Sequence, residues 1–279
     1  MQPLLTHWAH MWWSNIVVDL RRYIVFAVAV WFFLWVAFAK RLADRKIRQD
    51  RPAGRQMALE FLVSARSIAI FSTVGVGITV MARAGFYPLA DRAEHWGSAW
   101  FALSLVGMIV AHDAYFYWAH RLMHDPRLFR AFHRRHHRSH NPSPFTAYSF
   151  DLGEAFLMVS FVALWPMVTP TPWGVTGLFM LHQIFRNTLL HCGYELMPAG
   201  RDGRPMLDWL TTTTHHDLHH GRGWNYGLYF TWWDRWMGTE HPDYHAEYAR
   251  VASRAGAGRA ANSLGRPAAQ SQPVRIRFP

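Results

Sequence analysis

The sequence predicts an all-α protein: a multi-pass membrane helical bundle with a histidine-rich cap on the cytosolic side. Three observations carry this. Hydrophobic residues make up 51% of the 279 positions and charged residues only 17%, where a soluble domain carries roughly 25%. The apolar residues gather in uncharged runs close to membrane-spanning length. Thirteen of the 18 histidines fall between positions 112 and 220. This composition excludes a disordered chain, collagen and a coiled coil. The lone Cys192 excludes a disulfide framework and a cysteine-ligated zinc or iron–sulfur site. The net charge of +11 sits almost wholly in segments 40–55 and 247–279, so the basic balance says little about nucleic acid.

The elements follow in order. Tyr23 to Ala39 is uncharged between Arg21/Arg22 and Lys40/Arg41. It is too long for a signal-peptide core and reads as a retained transmembrane helix. Ser67 to Ala82 is a second apolar run, extended backward by 59–65, and Trp96 to Ala111 is a third. Ala155 to Phe185 has no charge but is broken by Pro166, Pro170 and Pro172. It predicts two antiparallel helices joined around 166–172, spanning the membrane or dipping in and returning. Loop 40–55 holds seven Lys/Arg, which places it in the cytoplasm and the N-terminus outside. Residues 112–150 and everything from 186 onward are then cytoplasmic. The final residues, rich in Ala, Arg, Gly, Ser and Pro, read as a flexible basic tail. Arginine outnumbers lysine 27 to 2, which fits a GC-rich bacterial genome and a bacterial inner membrane.

Three histidine clusters have ligand spacing: His120-x-x-x-His124, His133-x-x-His136-His137 and His216-x-x-His219-His220, with His215 just before the last. Residues three or four apart share a helix face, so each cluster turns its imidazoles in one direction. Neutral imidazole ligates iron, zinc, copper and nickel. Eight such ligands suffice for two metal ions at about four each, more than one tetrahedral zinc needs. His191 is the expected ninth ligand, on a polar stripe with Gln183 and Asn187. Asp113 lies on the stripe of His120 and His124. It reads either as a carboxylate orienting a ligating imidazole or as a capping or snorkelling aspartate. His112 is a weaker candidate, and His7, His10, His95, His182, His241 and His245 read as structural.

This pattern, HxxxH followed by two HxxHH boxes, resembles the fatty acid hydroxylase/sterol desaturase superfamily of membrane di-iron oxygenases. The flanks add to the resemblance: His112-Asp113, Pro144 to Tyr148, Asn187 to Glu195, Asn225-Tyr226-Gly227, Trp233-Asp234-Arg235 and Gly238-Thr239. The shorter first box favours the hydroxylase and sterol branch over the acyl-CoA desaturases. The resemblance implies two irons held by His120, His124, His133, His136, His137, His216, His219 and His220, with His191 and His215 as further ligands. It also implies O2 as co-substrate and hydroxylation or desaturation of a sterol-like or fatty acyl lipid. Residues 95–245 would be the catalytic domain, after transmembrane helices and a basic loop in 1–94 and before a flexible tail in 246–279.

The chain has no GxGxxG, no CxxCH and no cysteine set. A separate electron donor, cytochrome b5-like or ferredoxin-like, is therefore expected. Arg121, Arg127, Arg130, Arg134, Arg135 and Arg138 offer it a basic surface, or they meet lipid headgroups. Two rival readings are a membrane zinc hydrolase and a metal transporter. The hydrolase needs a general base that no box contains, and the transporter needs ligands at mid-membrane.

Overall fold

The computed structural model describes residues 2–263, which form an all-α membrane bundle. Four long segments build it: α1 (Gln2–Trp31), α2 (Gly54–Arg83), α4 (Gly97–Met123), and the hairpin of α7 (Leu152–Val168) and α8 (Trp173–Leu190). Short helices α3 (Pro88–Ala93), α5 (Pro126–Phe132), α6 (Arg134–His137), α9 (Thr213–Arg222) and α10 (Trp232–Trp236) serve as connectors, and α11 (Tyr244–Ser263) follows. Among the described residues there is no strand, only three isolated bridges.

By length and composition α2 and α4 can each cross a membrane. Their outer faces expose Leu62, Leu103, Val106 and Val110, while Glu60, Ser64, Ser67, Ser104 and Asp113 are buried. An apolar exterior over a partly polar interior is the pattern of helices solvated by lipid. α1 differs from the expected span. It begins twenty-one residues before Tyr23, so the expected flank Arg21/Arg22 lies inside it, with Arg22 paired to Asp19 at 3.2 Å. Its apolar run then continues as a π-helix, Phe32–Ala37.

The hairpin crosses the whole bundle. Its turn lies at the end opposite the histidines, where Trp100 Nε1 donates to Pro170 O (2.8 Å) and the Trp173 amide donates to Glu94 (2.6 Å). Pro170 and Pro172 supply no amide donors to continue α7, so the chain turns there. At the histidine end the 3-10 helix Pro144–Tyr148 threads between α1, α2 and α8. Phe145 O accepts from both Tyr23 and Ser64, and Ala147 O accepts from Asn187.

The expected flexible tail is helical over its first part. α11 buries Tyr244, Tyr248 and Val251, and Tyr248 donates to Met197 O. The tyrosines at 244 and 248 and Val251 recur every three or four residues, enough for one buried helix stripe. The remainder of that expected tail, 264–279, lies outside the described residues.

Candidate metal centre

The histidines are placed by helix ends. α4 carries His120 in its last turn and His124 as its C-cap. Asp125 then caps α5, accepting from the Arg127 amide at 2.9 Å, and Pro126 fills the first helical position. His133 sits at the break between α5 and α6, and α6 carries His136 and His137. His191 caps α8. Thr212 caps α9 through the His215 amide, and Gly223 ends it at φ 73°.

These elements bring nine imidazoles into two groups. One holds His120, His124, His133, His137 and His219; the other holds His136, His191, His216 and His220, and within each the ligand atoms lie within 4.8 Å of one another. The boxes therefore do not each face one way. In each HxxHH the first and last histidines, four apart, join one group, and the middle one joins the other.

Ring protonation can be read from the partners. His120 Nδ1 donates to Tyr226 O (2.8 Å), His219 Nδ1 to Trp224 O (2.6 Å) and His191 Nδ1 to Asn187 O (2.8 Å). A carbonyl only accepts, so these rings carry the proton on Nδ1 and present the Nε2 lone pair. His191 Nε2 lies 3.0, 3.1 and 3.3 Å from Nε2 of His216, His220 and His136. His219 Nε2 lies 2.9 Å from His137 Nε2 and 3.3 Å from His124 Nε2, and His120 and His133 meet at 2.8 Å. One in-plane lone pair cannot accept from three rings at once. Converging, orphaned imidazole nitrogens are satisfied by a cation at each focus, and the all-nitrogen donor set suits a transition metal.

Burial, then repulsion between neighbouring rings, pushes His133, His136, His216, His219 and His220 well below the usual imidazole range. His137 is pushed to about 3 by the same causes. All are neutral near pH 7, the form that binds metal.

A strained loop aims the carbonyl partners. Gly223, Trp224 and Asn225 have consecutive positive φ of 73°, 63° and 53°, a conformation costing non-glycine residues about 1–3 kcal/mol each. It is held by Asn225, which donates to His215 O and accepts from the His241 amide, and by Asp234, which accepts from the Tyr226 and Gly227 amides and Thr239. The Asn225-Tyr226-Gly227 and Asp234 flanks of the third box thereby gain a physical role: they fix the carbonyls of 224 and 226 that orient His219 and His120.

Three expectations are corrected. His215 belongs to neither group. It lies on the side of α9 turned from both foci, with Nε2 3.6 Å from Asp234 and its ring against Tyr244. Asp113 orients no imidazole. Its carboxylate accepts from the amides of Tyr229 (2.7 Å) and Phe230 (3.3 Å) and from Trp232 Nε1 (3.0 Å). The Asn187 side chain bonds Ala147, and only its backbone carbonyl serves the site, through His191. The remaining expected ligands all fall in the two groups. His112 lies among Phe161, Phe179 and Tyr229, and His182 against Tyr229.

Sequence reading missed Glu154, whose buried Oε1 lies 2.8 Å from His133 Nδ1. The signal was the Asp151-x-x-Glu154 spacing ahead of an apolar run, a capping box. That pattern announced the start of α7 but not the histidine opposite.

An all-α membrane bundle with two histidine groups at one end is the architecture of a membrane protein that could hold metal ions. Comparison with known proteins narrows it. The fatty acid hydroxylase family model matches residues 105–239. Lathosterol oxidase of Rattus norvegicus is 29% identical over 67% of this chain and 62% of its own length. The Delta(7)-sterol 5(6)-desaturase ERG3B of Gibberella zeae is 27% identical over 78% and 64%, and methylsterol monooxygenase 1 of Rattus norvegicus 25% over 84% and 78%. The chain spans about three-fifths of the length of the lathosterol oxidases it matches. No solved structure matches it. These matches make the chain similar to the fatty acid hydroxylase/sterol desaturase superfamily.

Proposed function

We propose that the protein is a membrane-bound, O2-dependent di-iron oxidoreductase that hydroxylates or desaturates a lipid, with residues 95–245 as its catalytic unit. The observation that carries this is the convergence of nine neutral imidazoles on two adjoining foci. His120, His124, His133, His137 and His219 would hold one iron, and His136, His191, His216 and His220 the other. Bound iron supplies the oxidising power that an unactivated C–H bond requires. The chain's own part is to fix the rings through Tyr226, Trp224, Asn187 and Glu154, to keep them unprotonated by burial, and to exclude water. Neither group includes a carboxylate, so a hydrolytic general base among the ligands has no support.

The relatives' names point to sterols, and a sterol-like lipid is the substrate class we favour. An apolar cavity of about 30 Å³ lined by Phe71, Tyr148, Phe150, Val159 and Phe179 lies one ring from the second group, with Phe150 packed on His136 at 5.5 Å. Electrons would come from a separate cytochrome b5-like or ferredoxin-like donor. Arg121, Arg127, Arg130, Arg134 and Arg138 are exposed beside the boxes for it. The location that fits is a bacterial inner membrane with the site facing the cytoplasm.

The test is metal analysis joined to lipid profiling. Purified protein is expected to carry two irons per chain. Cells with the protein should gain a lipid heavier by one oxygen or lighter by two hydrogens, and His136→Ala or His219→Ala should abolish that change without loss of membrane insertion. One zinc per chain, or full activity in both variants, would refute the assignment.

A further inference from the structure

The segment around the third box, 206–237, carries five of the chain's 15 tryptophans. Ring contacts run without a break from Trp118 on α4 through Trp233, Trp236, Trp232 and Phe230 to Trp209, with centroids 4.2–6.0 Å apart. This plate is not covered: Trp236 is 66% exposed, Met206 60% and Trp209 52%. It continues the apolar outer face of α4, where Leu103, Val106, Val110 and Leu122 are exposed.

Tryptophan spacing gives the plate's level. Trp100 and Trp118 are eighteen residues apart on α4. At 1.5 Å per residue the pair brackets about 27 Å, close to a hydrocarbon core of about 30 Å, and tryptophan favours its two boundaries. Asp113 lies five residues inside Trp118, so about 7.5 Å below that boundary. Yet Asp113 is the acceptor for Tyr229, Phe230 and Trp232. Arg186, the only charge on α8, donates to Thr211 O (3.1 Å). Two charges inside membrane helices thus both turn onto 211–232.

The irregular backbone there satisfies itself. Thr211 N donates to Tyr229 O and Thr231 N to Trp209 O, as backbone at membrane depth must. Charges at the rim are matched or rest on a ring. Arg235 pairs with Asp208 and Glu240, each at 2.9 Å, and Arg121 lies 5.8 Å from the Trp118 ring centroid. A plate facing water would need neither Asp113 nor Arg186 inside the helices.

We propose that residues 206–237 form a re-entrant plate seated in the interfacial layer of the bilayer on the histidine side, its inner edge about 7 Å within the hydrocarbon. The occupant of the exposed face is lipid. The plate sets the depth of the Trp224–Tyr226 loop and hence of the metal groups, which opens the site sideways to the bilayer. The inference rests on the membrane reading but not on the reaction.

The test uses full-length protein in vesicles of phosphatidylcholine, with a bimane label on a cysteine introduced at Met206, Trp209 or Trp236, the native Cys192 being buried and the unsubstituted protein serving as the labelling blank. Trp236→Cys and Met206→Cys leave Trp232, which bonds Asp113, in place. Val106→Cys on α4 and Arg250→Cys on α11 are controls. Quenchers are lipids brominated near the carbonyl end or near the methyl end of the acyl chain, and aqueous iodide. Expected is loss of fluorescence at 206, 209 and 236 with shallow bromine and none with iodide, deep-bromine quenching at 106, and iodide quenching at 250. Iodide quenching at the plate positions overturns the proposal. So does protection from every quencher, which would mean a protein partner covers the face. Absence of bromine quenching at 106 overturns the membrane reading together with it.

Discussion

Glu154→Leu tests whether ligand orientation reaches beyond the nine histidines. Glu154 Oε1 is 2.8 Å from His133 Nδ1, both side chains are buried, and the contact is close without hydrogen-bond geometry, leaving that nitrogen with no hydrogen-bond partner. The other oxygen accepts from the Asp151 amide at 3.4 Å, closing the cap of α7. Leucine removes both functions. Glutamine keeps an acceptor at the cap but puts an amide in place of the carboxyl beside the ring, a carboxyl that burial pushes well above its usual range. Partners behind a ligating histidine are worth about ten- to hundredfold in metal affinity, which is about 1.4–2.7 kcal/mol. The cap is worth about 0.5–2 kcal/mol independently of metal. Metal-free protein titrated anaerobically with ferrous iron against a competing chelator separates the two. Iron affinity is expected to fall at least about tenfold in Glu154→Leu. Stabilisation of the thermal midpoint by iron should shrink by about 1.4 kcal/mol for each tenfold loss, and Glu154→Gln should fall between. Unchanged iron affinity alongside a lower metal-free midpoint would reduce Glu154 to a cap and refute the orienting role.

Three further predictions use other parts of the structure. A Cβ at Gly227 would stand 2.6 Å from Phe230 O and 2.8 Å from Asp234 Oδ2, so Gly227→Ala should cost about 1–3 kcal/mol. It should also lower metal per chain by displacing the Tyr226 carbonyl from His120; a wild-type midpoint with full metal would contradict this. Metal-stripped protein should lose stability in acid. His137 titrates near 3 in the fold and near 6.5 when unfolded, so its contribution is complete above about pH 6.5 and is lost as pH falls toward 3, by up to about 1.4 kcal/mol per pH unit. A midpoint unchanged between those limits would argue against the neutral cluster. Reporters fused after Gly54, Pro142 and Pro242 should report cytoplasm and one near Asp91 the outside; opposite sides for 142 and 242 would forbid a single site.

Much of this was legible because helical spacing is a local property. HxxxH and HxxHH marked the ligands by spacing alone, though not their division between two foci, and His191 emerged at the end of the Gln183, Asn187 and His191 polar stripe in an apolar segment. Where partners come from distant parts of the chain, the sequence was silent. Nothing local ties Glu154 to His133 across twenty-one residues, or Asp113 to the amides of 229 and 230. Asp113 shares the His120 stripe, yet burial carried it to backbone donors that no side-chain pattern announces. His215 failed for a simpler reason. It adjoins His216 in sequence but lies about 100° around α9, and that rotation turns it to Asp234. The early start of α1 was obscured because Arg21 and Arg22 looked like a boundary, whereas Arg22 pairs with Asp19 along the helix.

The division of the boxes carries a last consequence. Box two gives His133 and His137 to the first group and His136 to the second. Box three gives His216 and His220 to the second and His219 to the first. The i, i+4 pair and the i+3 residue of each HxxHH thus serve opposite foci, in crossed order. The first box adds its pair to the first group alone, so the second group is completed by His191, giving five ligands and four. Because α6 and α9 each hold ligands for both foci, a metal at one focus orders the helices that build the other. Removing one ordering cost from the second event is positive coupling, of about 1–3 kcal/mol in typical cases. His191→Ala takes a ligand only from the four-membered group, so its first effect should be loss of that metal. Its second effect should be weaker binding of the remaining metal, although all five of that metal's ligands are intact. Stepwise titration with a spectroscopically visible divalent ion, such as cobalt, reads both steps in one experiment. Unchanged affinity at the five-histidine focus in His191→Ala would show the two sites to be independent, and the crossed boxes would then carry no coupling.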